Sequence, residues 1–245
     1  MNDKIDVDYR LKIRDNLRVI HERISSACRN AGRDESSVRL LLATKTIAPE
    51  AIRIAIEAGE NLVGENKMQE FAAKYEALAD LKHERHFIGH LQSNKVKDAL
   101  KYVTCIETVD SMDLARKLDK YLSEANRSID IMIQVNTSFE KSKSGLNPDE
   151  TLPFLRDIST LKTLNTKGFM TIGLLDSEPE KVRPSYAKLR EIRDAAAKEG
   201  LVGRQAELSM GMSGDLEIAI NEGATIVRVG SAVFGTRISG NKNRE

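Results

Sequence analysis

The amino-acid sequence predicts an α/β fold, a single (β/α)8 TIM barrel with an extra N-terminal helix, and three observations carry that prediction. Eight short β-rich runs alternate with amphipathic helical stretches, the signature of βα units and a parallel sheet. The series fits within 245 residues, with no linker, low-complexity segment or internal repeat to break it. The first run passes straight into Thr44-Lys45-Thr46-Ile47, without the Gly-rich turn that an open doubly wound sheet usually carries there. Residues 1–245 are therefore expected to form one domain, with the barrel proper spanning about 38–237.

The elements follow in order. Tyr9 to Arg33 reads as a long helix, because Ile13, Leu17, Ile20, Ile24 and Ala27 recur on one stripe, which Cys28 joins. The β-rich runs are Val38 to Thr44, Asn61 to Val63, Arg85 to Ile88, Tyr102 to Glu107, Ile129 to Val135, Lys167 to Thr171, Gln205 to Leu208 and Thr225 to Val229. Helical patterns separate them over Pro49 to Ala58, Asn66 to Leu78, Ser111 to Leu122, Pro148 to Leu161, Pro184 to Lys198 and Gly214 to Asn221. Ser111 is a candidate cap for its helix, whose Met112, Ala115, Leu118 and Leu122 share a face.

Composition narrows the function classes. With 38 Lys plus Arg against 37 Asp plus Glu, the formal charge is +1, and the cations are spread among acids rather than gathered on a stripe. A nucleic-acid partner is not expected. The first residues alternate charges and do not read as a signal peptide, and no apolar run approaches the ~20 residues needed to span a bilayer. A cytoplasmic chain without a membrane partner is expected, with a frayed polar tail over Asn241 to Glu245. Two cysteines make no disulfide framework, and Cys28 and Cys105 both lie in apolar patterns as core residues. His83, His86 and His90 lack a Cys or carboxylate pair at ligand spacing, so no metal is expected.

In a barrel of this type chemistry gathers where strands end and βα loops begin. Lys45 follows the apolar run Leu40 to Thr44 and would project toward the barrel mouth. There it is either a partly desolvated nucleophilic amine suited to a Schiff base, or a rim lysine reaching into solvent. Leu208 to Asp215 and Val227 to Ser231 follow the seventh and eighth runs, the usual place of a phosphate site, with a helix N-terminus nearby. Gly211, Gly214 and Gly230 permit close backbone approach, and Ser209, Ser213 and Ser231 offer hydroxyls; tight βα turns would use the same small residues. Arg228 is a cation inside an apolar strand and needs a partner, either a carboxylate or a heteroatom of a ligand in the mouth. Gly64-Glu65-Asn66, Ile88 to Lys95 and Gln134-Val135-Asn136 add polar groups at strand ends, where helix capping accounts for most of them.

Together these segments resemble a known family. The stretches around Lys45 (LLATKT), Gly64 to Glu70 (GENKMQE), His86 to Lys95 (HFIGHLQSNK), Ile133 to Gly145, Leu208 to Asp215 (LSMGMSGD) and Val227 to Arg237 are similar to the pyridoxal phosphate homeostasis proteins of the YggS type. They fall in order over almost the whole chain. The resemblance implies a fold-type III barrel like the barrel half of alanine racemase, holding pyridoxal 5′-phosphate. It implies Lys45 as the Schiff-base lysine and Ser209 and Ser213, with the backbone at Gly230 and Ser231, as the phosphate site. Arg228 would face the pyridine nitrogen and Asn66 would line the pocket. Arg85, Lys67-Met68 and Phe169 depart from the common pattern and are expected to alter packing at the pocket mouth.

An Arg at the ring nitrogen keeps its proton and leaves the cofactor a weak electron sink. A racemase of this class also takes a second base from an extra C-terminal β-domain, for which this sequence shows no counterpart; its last Tyr is Tyr186, in an expected outer helix. A monomeric carrier that binds, buffers and hands pyridoxal phosphate to apo enzymes, without robust turnover, is therefore the expectation. Two alternatives stand beside it. One is an amino-acid enzyme with His90 or Lys95 as base. The other is a cofactor-free barrel aldolase that uses Lys45.

Overall fold

In the computed structural model, which describes residues 7–140, 142–174, 176 and 178–235, the eight strands pair in sequence order and all in parallel to close a barrel. Of the sequence expectations, the polar tail from Asn241 and the end of the barrel at 236–237 lie outside the described residues. The chain begins with α1 (Val7–Asn30), then runs β1 (Arg39–Ala43), α2 (Pro49–Glu57), β2 (Leu62–Glu65), α3 (Met68–Tyr75) and β3 (Glu84–Phe87). It continues through α4 (Val96–Ala99), β4 (Cys105–Val109), α5 (Met112–Glu124), β5 (Ile129–Gln134), α6 (Thr151–Ile158) and β6 (Leu164–Met170). The last units are α7 (Pro179–Lys198), β7 (Glu207–Met212), α8 (Leu216–Asn221), β8 (Ile226–Val229) and α9 (Ser231–Phe234). Closure is made by β1 against β8, with Leu40 opposite Val227 and Leu41 opposite Arg228.

Strand alternation divides the core into two parts. Leu41, Leu62, Cys105, Met132, Met170 and Ile226 fill the barrel interior, whereas the larger cluster lies between the strands and the helices around them. Cys28 and Cys105 are buried free thiols, one in each part. Ile13, Leu17, Ile20 and Ile24 are the buried stripe of α1, which packs across α2, α8 and α9. Ser111 caps α5 by accepting a hydrogen bond from the Leu114 amide. No helix among the described residues is long and apolar enough to cross a membrane.

Three boundaries differ from the sequence reading for identifiable reasons. The run Tyr102 to Thr104 has strand-forming side chains, but the Val103 amide is taken by Ala99 at the end of α4, so β4 starts only at Cys105. Helix α7 starts at Pro179 rather than at Pro184, because Pro184 falls early enough in the helix that its missing N–H forfeits a single intrahelical bond. Strand β7 runs on to Met212, past the expected end at Leu208, and its register against β8 shifts between Ser209 and Met212. Gly211, at φ 90°, makes that shift possible, since a side chain there would be strained in this conformation.

Candidate functional site

An open cavity of about 460 Å³ sits at the C-terminal mouth of the barrel. It gathers residues from both ends of the chain: Lys45 after β1, Asn66 after β2, Ser213 and Gly214 after β7, Arg228 from β8, and Gly230 and Ser231 at the head of α9. Ile88, Met170, Ile172 and Met212 provide apolar walls. The cavity lining thus brings together two cations, three hydroxyls and one carboxamide, and among the described residues it includes no carboxylate. Such a lining suits a small anion attached to an apolar, planar body.

Lys45 lies two residues beyond β1, in a turn, and is exposed. The expected desolvation in the strand wall is therefore not what holds it; the turn itself is clamped. Thr46 takes φ 65°, a left-handed conformation that is costly for a β-branched residue, and its amide donates to Glu70 Oε2 at 3.3 Å. On the other side of Lys45, the Thr44 hydroxyl donates to Glu65 Oε1 at 2.7 Å while Lys74 Nζ donates to the Thr44 carbonyl at 2.9 Å. Lys74 also bonds Glu65 at 2.6 Å and Glu70 at 2.7 Å. Burial pushes the Glu65 carboxyl up, against the opposing pull of the Lys74 and Thr44 bonds, and its Oε2 has no partner among the described residues. Glu70, bonded to Lys74, is held below the usual carboxylate value.

The opposite wall rests on the N-terminal helix. Arg23 of α1 donates to the Ser213 carbonyl at 2.9 Å and pairs with Glu217 at 2.7 Å. Asn16 and Tyr9 donate to the carbonyls of Val233 and Phe234, the last residues of α9. The first N–H groups of a helix have no acceptor within it, and in α9 these belong to Ser231 and Ala232. A Cβ at Gly230 would lie 2.7 Å from the Ala43 carbonyl oxygen, so only glycine lets this backbone sit against the end of β1. In the loop after β7, Asp215 accepts from the Met212 amide at 2.6 Å and from the buried Tyr186 hydroxyl at 2.9 Å. Tyr186 is on an outer helix as expected, but it faces inward and supports this loop.

Ser209 does not line the cavity, which corrects the expectation of a direct phosphate hydroxyl. It is 0% exposed, donates to Glu107 Oε2 at 2.6 Å and accepts from Arg228 Nη1 at 2.9 Å. Strand alternation is the reason: Leu208 and Met210 on either side of Ser209 pack toward the helices, so Ser209 points into the barrel, and Met212 and Ser213 further along reach the mouth. Arg228 is 7% exposed, and its Nη2 donates to the Thr171 carbonyl at 2.7 Å. Its partners are thus a hydroxyl and a carbonyl, with Glu107 one link away.

His90 and Lys95 line a neighbouring groove that shares Asn66 with the cavity, and neither borders Lys45. Arg85 and Phe169 are also away from the mouth. Arg85 stacks on Tyr75 at 5.5 Å, and Phe169 is buried between the barrel and its helices. Of the three sequence departures, only Lys67 and Met68 stand close to the opening, in the same neighbouring groove. Sequence reasoning missed the apolar walls and the clamp formed by Glu65, Glu70 and Lys74. Their spacing after β2 was visible, but a bond to a backbone carbonyl thirty residues earlier in the chain has no sequence signature.

Comparison with known proteins matches residues 12–238 to the family described as alanine racemase, N-terminal domain. A pyridoxal phosphate homeostasis protein from Aquifex aeolicus is 45% identical over 216 residues, covering 88% of this chain and 94% of the relative. Among solved structures, an unknown protein from Bifidobacterium adolescentis superposes with a TM-score of 0.89 at 40% identity, over 95% of this chain and 98% of the other. The structure of PipY from Synechococcus elongatus with PLP bound gives 0.77 at 34% identity, over 88% of this chain and 100% of the other.

Proposed function

Since the chain belongs to the pyridoxal phosphate homeostasis proteins, within the alanine racemase N-terminal domain family, we propose that it binds pyridoxal 5′-phosphate through Lys45 and buffers and delivers that cofactor. The observation that carries the reading is the acid-free cavity in which Lys45, Arg228, Ser213, Ser231 and the Gly230 backbone converge between apolar walls. That donor set fits the group: an amine for an aldehyde, hydroxyls and amides for a phosphate, and a guanidinium for a ring nitrogen.

When bound, the cofactor supplies an aldehyde that condenses with a primary amine and a planar ring that withdraws electrons. Lys45 supplies the amine, presented by its clamped turn. Ser213 and Ser231, with the backbone at Gly230 and Ser231, hold the phosphate, and Arg23 steadies Ser213 from α1. Asn66 lines the pocket, and Ile88, Met170, Ile172 and Met212 exclude water from the faces of the ring. Arg228 would hold the ring nitrogen and keep its own proton, which would disfavour carbanion chemistry and favour a carrier over a catalyst. The protein acts in the cytoplasm as a monomer, and apo forms of pyridoxal phosphate enzymes are its acceptors.

Borohydride reduction of the protein loaded with pyridoxal 5′-phosphate, followed by peptide mass mapping, tests the reading. A pyridoxyl adduct on Lys45 and its loss in Lys45→Ala is the expected result; an adduct only on other lysines refutes it. Mixing the loaded protein with an apo acceptor enzyme tests delivery, which transfer no faster than from free cofactor would contradict. Exchange of amino-acid α-hydrogens with solvent deuterium above the rate of free cofactor would instead establish an enzyme.

A further inference from the structure

Beneath Arg228 a chain of polar groups descends the barrel, buried as far as His86 and reaching solvent at Glu84 and Arg39, and nothing in the cofactor chemistry above uses it. Arg228 of β8 donates to Ser209 of β7, and Ser209 donates to Glu107 of β4. His86 of β3 meets the other Glu107 oxygen through Nδ1 at 2.6 Å and faces Glu84 through Nε2 at 3.4 Å. Arg39 of β1 closes the chain on Glu84 at 2.6 Å. Glu107 is fully buried and His86 nearly so, among Leu41, Leu62, Met132 and the other apolar residues of the barrel interior.

The direction of these bonds matters. A guanidinium can only donate, so Ser209 accepts from Arg228 and its single proton must point elsewhere. Glu107, an acceptor when ionised, is what commits it. Glu107 in turn must be kept charged and in one orientation, and His86 does this from the far side, with both ring nitrogens placed against carboxylates. Among the described residues no carboxylate bonds Arg228 directly, and the charges of Glu107 and Arg228 act on each other through Ser209.

We propose that Glu107, oriented by His86, is the positioning residue of the cofactor site, fixing Ser209 as an acceptor and thereby aiming the guanidinium of Arg228 at the ligand ring. The proposal rests on the cofactor reading above. It assigns a function to a buried pair whose Glu107 lies two bonds below the cavity-lining Arg228, and it explains why Ser209 belongs to the site without touching the cavity.

The test compares the full-length wild-type protein with Glu107→Gln, Ser209→Ala and Arg228→Gln. Two readouts respond to Arg228 geometry: the absorption maximum of bound pyridoxal 5′-phosphate, and the Kd of pyridoxine 5′-phosphate, which has the ring and phosphate but no aldehyde. Glu107→Gln and Ser209→Ala are each expected to move the absorption maximum in the direction of Arg228→Gln. Each should also raise the Kd about tenfold, the effect of losing one charge-assisted bond. Combining Glu107→Gln with Arg228→Gln should add less than the sum of the two. A folded Glu107→Gln protein with wild-type spectrum and Kd overturns the proposal, and so does a fall in Tm with both readouts unmoved. Should Glu107→Gln not fold, Ser209→Ala decides by the same criteria. Failure of wild-type protein to bind pyridoxine 5′-phosphate would instead defeat the cofactor reading itself, and the proposal with it.

Discussion

Raising the pH from 6 to 9 should destabilise this protein through His86. Burial alone would lower the imidazole pKa, but the bonds and charges of Glu107 and Glu84 outweigh it and raise the value to about 9. A base whose folded pKa lies above its unfolded value contributes stability that is fully present below the unfolded pKa, near 6.5, and is lost as the pH rises through about 9. At about 1.4 kcal/mol per pKa unit, the shift corresponds to roughly 3 kcal/mol. For a chain of 245 residues, about 2 °C of Tm accompanies each kcal/mol, so the expected fall is about 6 °C across the window. Calorimetry at pH 6, 7, 8 and 9 on wild-type protein and on His86→Asn measures it. His21, raised by its bond to Glu60, and His83, lowered by burial, also titrate nearby. Both persist in the variant and cancel in the difference. Burial pushes the Cys105 thiol well above its ordinary value, so its contribution begins to fall at about pH 8.5, toward the end of the scan, and it too persists in the variant. Equal slopes in wild type and His86→Asn would refute the assignment of a charged His86 at the barrel axis.

Two further perturbations act on the walls of the cavity. Gly230→Ala places a Cβ 2.7 Å from the Ala43 carbonyl oxygen, so the backbone at the head of α9 must shift. A stability loss of roughly 1–3 kcal/mol and a Kd for pyridoxine 5′-phosphate at least about tenfold higher are expected, and wild-type values by calorimetry and titration would refute the close approach. Lys74→Met removes the cation from Glu65 and should cost about 3–5 kcal/mol at neutral pH. Because burial already pushes Glu65 toward its neutral form, and removing Lys74 takes away a charge that opposes this, part of that loss should return as the pH falls toward the ordinary carboxylate range and the carboxyl protonates. A urea-unfolding difference that does not change with pH would contradict the role of the pair.

How much of the molecule was legible in the sequence depended on the range of the interaction being read. Alternation and helical stripes are local, and they placed all eight strands and α1, since Ile13, Leu17, Ile20 and Ile24 sit on one face whatever they pack against. The short α4 and α9 escaped, because four residues are too few for a period to show. Around the site, Lys45, Asn66, Ser213, Arg228, Gly230 and Ser231 were all named in the sequence and all line one cavity. Ser209 was misassigned for a physical reason. The resemblance implied Ser209 beside Ser213 at one ligand, but Ser209 lies within β7, where alternation with Leu208 and Met210 turns it into the barrel.

A signal for the axial chain was present in the sequence and went unread. Arg228 stood out because a cation inside an apolar strand needs a partner, and the same reasoning applied to the run Cys105 to Val109 would have flagged Glu107 as a buried anion. Two opposite charges on β4 and β8, strands on opposite sides of a closed barrel, can compensate each other only across its axis. Closure thus converts two isolated anomalies into one coupled pair, linked through Ser209. The same locality accounts for the near-zero net charge of the chain. On the proposed reading a single small anion held by hydroxyls and backbone amides needs no positive field over the surface, and the Arg228 charge is balanced from below by the buried Glu107 rather than by a carboxylate among the described lining residues.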